Sequence, residues 1–318
     1  MLPNDALQRE VSLRSVRRDD PAGPEAAKIS QESLGSLLDW AVHELSELGH
    51  GEARASAELL LGESLHCRRH ELYLDAGKLM AAAGAARFKG LVKLRKARCP
   101  TAYLTKSSAF WKGEFFVDER CLVPRPESEV LVEIILRSLK LPESAGINVL
   151  DMCCGSGNLG ISLLCEWPAG NGTFADVSGP ALDVTRKNLE RHRLLERSRV
   201  VCSDLFEMFR RAPEKWEVII CNPPYLSHAD LLNAEPEVLR EPLMALDGGI
   251  DGLDFYRRVC REAGDFIAGG GWLVLEVGAG QVSPVKQWLE SQQQYDRIFS
   301  ECDALGIERA VIAQKKLA

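Results

Sequence analysis

The sequence has no excess of positive charge: 39 Lys and Arg stand against 46 Asp and Glu, a formal charge of −7, with a pI of about 5.6. Duplex nucleic acid rewards a basic surface, so the chain as a whole is poorly suited to that partner, although a local basic groove stays open. No apolar run approaches the roughly 18 residues that cross a bilayer. The opening stretch MLPNDALQREVSLRSVRRDD holds no apolar core of the kind a secretory signal carries. These absences predict a cytoplasmic protein with no membrane partner. The ten cysteines include no CxxC pair, and nothing marks the chain for an oxidising compartment, so free thiols are expected rather than a disulfide framework. The six histidines give one close pair, His66 and His70. LHCRRHEL reads as the polar face of a helix, and no second ligand pair adjoins it to close a tetrahedron, so no metal is expected. There is no internal repeat, and nothing in the sequence sets an oligomeric state.

What is present is 46% hydrophobic and 27% charged residues over 318 positions, with a mean hydropathy of −0.12, enough for at least one full core. Residues 1 to 28 mix charges of both signs with three prolines and show no sustained period, the composition of a poorly ordered tail. From Ile29 the pattern turns helical. ISQESLGSLLDWAVHELSELG places Leu34, Leu37, Leu38, Ala41, Leu45 and Leu48 three and four apart, with Ser30 opening the helix and Gly49 stopping it. ARASAELLLGESLHC, HELYLDAGKL and AAAGAARFKGLVKLRKA continue as helices until Pro100. This predicts a small helical domain over 29–100. Residues 101–126 become aromatic and alternating (AFWKGEFFVDERCLVPRP), the pattern of a hairpin connector.

From 127 to 318 the runs INVLDM, GTFADV, RVVCSD, WEVIICNPP and GWLVLEVG alternate with helical stretches such as ESEVLVEIILRSLK, GPALDVTRKNLERHRLL and LDFYRRVCREAGDFI. Alternation of this kind predicts an α/β fold with a doubly wound parallel sheet. YDRIFSECDALGIERAVIAQ adds a terminal antiparallel hairpin.

In VLDMCCGSGNLG a buried strand runs into a Gly-rich turn and a helix, at the carboxyl end of a strand where such sheets bind ligands. Gly155 and Gly157 let backbone approach a ligand without a Cβ in the way. Asp176, in FADVS after the next strand, stands where an acid accepts the hydroxyl hydrogens of a ribose. A Rossmann GxGxxG turn aims a helix N-terminus at a pyrophosphate. Here Asp151-x-x-x-Gly155-x-Gly157 replaces it, and an acid at the strand end repels phosphate and suits the ammonium of S-adenosylmethionine. Asp204, after VVC, is placed for an adenine edge. The paired acids favour S-adenosylmethionine over a dinucleotide.

WEVIICNPPYL puts Asn222, Pro223, Pro224 and Tyr225 on the same rim. An amide, guanidinium or exocyclic amine is a weak nucleophile because its lone pair is delocalised. The Asn222 side-chain oxygen and the Pro223 carbonyl can accept both N–H hydrogens and turn the lone pair toward a methyl sulfonium. The two prolines fix the backbone, and Tyr225 can pack on the planar group. A Pro-Pro turn can also end a strand for purely structural reasons; its place at the fourth strand, downstream of the cofactor turn, argues for chemistry.

On VPRPESE, VLDMCCGSG, ADVS, SDLF, CNPPY, EPLMALDGGIDGLDFYRR and GGWLVLEVGAGQ, the chain from about 30 to 315 resembles the class I S-adenosylmethionine-dependent methyltransferases, and within them the N5-glutamine methyltransferases acting on peptide-chain release factors. The resemblance implies a seven-stranded Rossmann-like catalytic domain over 127–318 behind a helical substrate-recognition domain, and methyl transfer to a glutamine amide in a Gly-Gly-Gln loop. It implies a cofactor loop of Cys153, Cys154, Gly155, Ser156 and Gly157, with Asp176 on the ribose and Asp204 and Leu205 beside the adenine. The target amide would meet Asn222, Pro223, Pro224 and Tyr225, and Arg125 and Glu127 would line the cofactor pocket or brace the hairpin. The chain departs from the family at Cys153, where glycine is frequent, in the connector TAYLTK, at Val282 after Gln281, and at Arg240. Those departures gather around the domain junction and the substrate side. They keep open a biosynthetic enzyme that methylates the guanidinium of arginine or another small-molecule nitrogen. A nucleic-acid adenine methyltransferase and a non-catalytic S-adenosylmethionine-binding module are further alternatives.

Overall fold

The computed structural model describes residues 32–74, 76–139, 146–211 and 214–317. The tail expected over 1–28 and the helix start expected at Ser30 lie outside the described residues. Helix α1 (Leu34–Glu44) begins at Ser33, whose Oγ accepts the Ser36 amide at 3.2 Å. It buries Leu34, Leu37, Leu38 and Ala41, the face its spacing of three and four dictates. α2 (His50–Leu65) and α3 (Ala82–Lys96) pack on it around Leu60, Leu61 and Phe88. α4 (Thr101–Thr105) follows Pro100 and is tied to α2 by Ser56 and Thr101, 3.1 Å apart between hydroxyl oxygens.

HELYLDAGKL is not the helix its pattern predicts. α2 ends where His66 takes a left-handed conformation (φ 53°). Arg69–Tyr73 is a single 3-10 turn, and Leu79–Met80 pairs antiparallel with Glu32–Ser33. The cause is Glu58, 1% exposed in α2, which draws Arg54, Arg69 and Tyr73 onto its carboxylate. Satisfying a buried charge outweighs the small helix propensity of that stretch. His66 and His70 therefore do not share one helical face.

The connector is a hairpin only over Ser108–Phe110 and Gly113–Phe115; its first residues form α4. Phe110 and Phe115 meet edge-on at 6.1 Å within the core of the α/β domain. Trp111 is fixed by its amide to Glu129 (2.8 Å) and its indole to Glu166 (2.9 Å).

The α/β domain is a seven-stranded sheet of β1 (Asn148–Met152), β2 (Asn171–Asp176), β3 (Ser198–Cys202), β4 (Trp216–Cys221), β5 (Ile267–Glu276), β6 (Tyr295–Cys302) and β7 (Glu308–Lys315), in the order β6-β7-β5-β4-β1-β2-β3. The first five strands run parallel, and β7 is antiparallel to both β5 and β6. The central strands are buried on both faces, which is why they read as continuous apolar runs. Helices α5 (Glu129–Arg137), α6 (Asn158–Glu166) and α7 (Gly179–Arg191) belong to one side of the sheet. The short α8 (His228–Leu232) follows β4, and α9 (Asp254–Glu262) and α10 (Val282–Ser291) cover the other side; the sequence pattern assigned no element to α8 or α10. Strand order reverses between β1 and β4, which opens a crevice at their carboxyl ends. Among the described residues no helix is long and apolar enough to cross a membrane.

Candidate active site

The Gly-rich turn after β1 is closed by its own amides. Cys154 N–H donates to the Ala175 carbonyl (3.1 Å), Gly157 N–H to the Cys154 carbonyl (2.7 Å), and Gly155 N–H to Asp176 Oδ2 (2.9 Å). Cys153, Gly155 and Gly157 all lie at positive φ (58°, 53° and 78°). Cys153 thus holds a conformation that favours glycine, which accounts for the glycine frequent there in the family it resembles. α7 braces the turn from behind: Thr185 donates to the Gly155 carbonyl (2.8 Å), and Asn188 donates to the Ser156 carbonyl (2.9 Å) while accepting the Phe116 amide (2.7 Å).

This turn lines a cleft of about 860 Å³, open solvent included, bordered by Cys153, Cys154, Gly155, Ser156, Asp176, Asp204, Leu205, Asn222 and Pro224. A second cavity of about 520 Å³ is lined by Leu122, Arg125, Asn222, Tyr225, Leu226, Val238, Ala245 and Leu246. Leu122, Arg125, Asn222 and Ala245 border both, and Asn222 is the one of the four with a side-chain amide. Pro223 is buried beside them. Gly157 and Asp151 line neither cavity. Gly157 precedes α6, where a Cβ would come within 3.0 Å of Thr185.

Asp151, expected from the sequence to meet the cofactor ammonium, has a structural partner of its own. Its side chain is turned under the cofactor loop, 1% exposed, with Oδ2 accepting the Gly160 amide in the first turn of α6 (2.8 Å). It secures the helix N-terminus. Its Oδ1 is buried without a partner, and burial pushes the carboxyl pKa up to about 8. Asp176 does face the cleft. Oδ1 accepts the Ser178 amide (2.8 Å) and Oδ2 the Gly155 amide, which leaves each oxygen a further lone pair for a hydroxyl. Burial raises its pKa against the pull of those amides. Asp204 is held by Arg258 (2.8 Å). Leu205 adopts a positive φ (48°), its carbonyl accepting from Ser203 Oγ (2.6 Å).

The charges test what the cleft can hold. Its two arginines are committed: Arg120 to Asp118 through two bonds (2.8 and 2.6 Å), and Arg125 to the buried Glu241. A pyrophosphate would find no unpaired arginine among the residues that line the cleft, and the Cys154, Gly155 and Gly157 amides already engaged. A cationic, ribose-bearing cofactor meets the carboxylates of Asp176 and Asp204 on a rim whose two arginines are each neutralised by an acid, a setting that suits S-adenosylmethionine.

The profile of the PrmC N-terminal domain matches residues 36–105, and that of the methyltransferase small domain matches residues 128–248. The release factor glutamine methyltransferase of Geobacter sulfurreducens is 35% identical over 280 residues, covering 88% of this chain and 95% of its own. The chain belongs to the release factor glutamine methyltransferase family. The family member of Chlorobaculum tepidum is 34% identical over 288 residues, covering 89% of this chain and 98% of its own. A solved structure of the release-factor-specific protein-(glutamine-N5) methyltransferase of Alicyclobacillus acidocaldarius has a TM-score of 0.40 and 28% identity, over 64% of this chain and 99% of that one. As a release factor glutamine methyltransferase family member, the protein is a class I enzyme that uses S-adenosylmethionine as methyl donor. The family's N-terminal match runs through α4, which joins the other helices.

Several site residues carry no signal in composition or period. Arg125 lines both cavities, but its partner is Glu241, and Glu127 lines neither. Glu241 also accepts the Val123 amide (2.9 Å), which pins the connector to the stretch between β4 and α9. ALDGGIDG wraps the tetrapeptide: Gly248 N–H donates to the Leu226 carbonyl (2.8 Å), and a Cβ on Gly248 would lie 2.8 Å from Tyr225 Cα. Glu276, buried at the end of β5, has Oε1 3.5 Å from Tyr225 Oη.

Proposed function

We propose that the protein methylates the side-chain amide nitrogen of a glutamine in a peptide-chain release factor. One observation carries the reading: Asn222 borders both the cofactor cleft and the second cavity, so a planar group in the second cavity meets the cofactor at that side chain. S-adenosylmethionine, when bound, supplies a methyl group on an electrophilic sulfonium. Cys153, Cys154, Gly155 and Ser156 hold it, Asp176 takes its ribose, and Asp204 and Leu205 flank its adenine. Asp151 and Gly157 shape the turn from beneath. Asn222 Oδ1 and the Pro223 carbonyl accept the two amide hydrogens, which directs the nitrogen lone pair at the methyl carbon. Pro223 and Pro224 fix φ so that the carbonyl stays aimed, and the Tyr225 ring supports the amide plane.

The lining of the acceptor cavity favours an amide over a guanidinium. Five of its residues are aliphatic and its one charged side chain is Arg125, whose countercharge Glu241 is already taken. An arginine substrate would bring a second cation beside the first with no carboxylate among the lining residues to receive it. The relatives are release factor glutamine methyltransferases by name, which supports a release factor as acceptor, met by the helical domain. A cytoplasmic location goes with that partner.

The test is incubation with methyl-labelled S-adenosylmethionine and, in parallel, purified release factor, free arginine, free glutamine and an oligonucleotide. Label is expected on a release-factor glutamine. Label on arginine alone, or on the oligonucleotide alone, would refute the reading.

A further inference from the structure

Arg95, 2% exposed, lies in the last turn of α3, yet its partners lie far apart in sequence. Nη1 donates to Glu237 Oε1 at 2.8 Å, and Nη2 to Glu52 on α2. Arg98 reaches the same Glu237 oxygen at 3.0 Å, and Arg240 returns the link by donating to the Ala97 carbonyl at 3.1 Å. Glu237 belongs to the stretch between β4 and α9, in which the next residue, Val238, and Leu246 line the acceptor cavity alone, Pro242 and Met244 border the cofactor cleft, and Ala245 borders both. At the other end of the same short turn, Glu241 is gripped by Arg125 and the Val123 amide. The wall at Val238 is therefore held from the helical domain on one side and from the connector on the other.

Stability alone is a weak reason for this arrangement. Burying a guanidinium against carboxylates loses in desolvation about what it gains in attraction, and an apolar contact of the same volume would hold the two domains as well. Arg95 Nε and Glu237 Oε2 are also buried without partners, a net loss for an interface whose role is only to adhere. What a guanidinium fork adds is fixed geometry.

We propose that Arg95 is a positioning residue for methyl transfer: through Glu237 it sets the acceptor-cavity wall at Val238, so that the helical domain governs the acceptor side of the reaction and not cofactor binding. The inference rests on the acceptor reading given above. It makes the helical domain part of the acceptor site in addition to any contact with the substrate protein.

The full chain is used for the test. Amide exchange over 235–246 and S-adenosylmethionine affinity are measured in the free enzyme, and kcat and KM with purified release factor. Arg95→Met and Glu237→Gln are expected to speed exchange over 235–246 and to lower acceptor kcat/KM about tenfold, with cofactor affinity held within about threefold. Because both act through one link, the Arg95→Met/Glu237→Gln double variant should be little worse than the worse single. Arg95→Lys should recover part of the loss by keeping the charge without the fork. Glu237→Gln preserves side-chain shape and keeps the test decisive where Arg95→Met fails to fold. Unchanged exchange in both single variants, faster exchange with unchanged acceptor kcat/KM, or an equal loss of cofactor affinity would each overturn the proposal. A wild-type enzyme that labels no release factor would overturn the substrate reading instead, and exchange over 235–246 would then decide whether Arg95 sets the wall.

Discussion

Gln281 donates Nε2 to the main-chain carbonyl of Tyr225 at 2.9 Å and accepts the Gly278 amide on Oε1 at 2.9 Å. A side chain from the turn after β5 thus holds the last peptide of the tetrapeptide, and its Nε2 also reaches the Gly252 carbonyl at 3.2 Å. Replacing it with leucine keeps the volume and leaves three main-chain groups without those partners. Gln281→Leu should lower kcat about 10- to 100-fold through misplacement of the acceptor groups, with S-adenosylmethionine affinity nearly unchanged. Equal losses in both, read by calorimetry and steady-state kinetics, would move Gln281 from the acceptor side to the cofactor side.

Asn222→Ala removes the side-chain acceptor at the junction of the two cavities. Loss of one preorganised electrostatic partner typically costs about 10²–10³ in kcat, and because Asn222 is one of many residues bordering the cleft, cofactor binding should persist. Near-normal turnover by this variant would refute the two-acceptor mechanism.

The parallel sheet was legible because strands buried on both faces must be apolar throughout, and the cofactor turn because positive φ at Gly155 and Gly157 calls for glycine in sequence as in space. The hidden parts depend on long-range pairing. Nothing local says that Glu58 would unmake a helix eleven residues onward, or that Arg125 would choose Glu241 over Glu127 two positions away. The structural part of Asp151 was hidden because an acid at the end of a strand gives no local sign that it also holds the helix beneath it, as its bond from the Gly160 amide at 2.8 Å does. The domain junction followed the same rule. Pro100 reads as a stop, but it ends one helix and precedes another, α4, whose packing on α2 is not local.

Asp176→Ala should weaken S-adenosylmethionine binding about 10- to 100-fold, the range expected when a carboxylate that takes hydroxyl hydrogens is lost. Part of that loss comes through the turn, since Asp176 also holds the Gly155 amide. Asp176→Asn keeps one acceptor oxygen and should bind better than the alanine variant. Asp151→Asn, by contrast, alters a group that lines neither cavity, and its effect should fall on thermal stability. Cofactor titration of the three variants, with thermal unfolding of Asp151→Asn, checks both statements, and unchanged affinity in Asp176→Ala would remove the ribose role.

Glu276 gives the pH dependence its sign. The carboxyl is 3% exposed, and burial lifts its pKa from 4.5 to about 7 even with Arg309 and Tyr225 nearby. The folded state therefore keeps its proton after the unfolded chain has lost it. The stabilisation is complete below about pH 4, declines as pH rises from there to about 7, and is then gone, a change on the order of 3 kcal/mol. Asp151, lifted to about 8, works in the same direction, while His192, whose pKa burial lowers, works against it. The wild type alone gives only the sum, so the difference between wild type and Glu276→Gln is the measurement. Urea unfolding at pH 5, 6, 7 and 8 should show Glu276→Gln losing less stability across that range than the wild type. Parallel curves for the two proteins would mean that Glu276 is already ionised at pH 5, its charge held by Arg309.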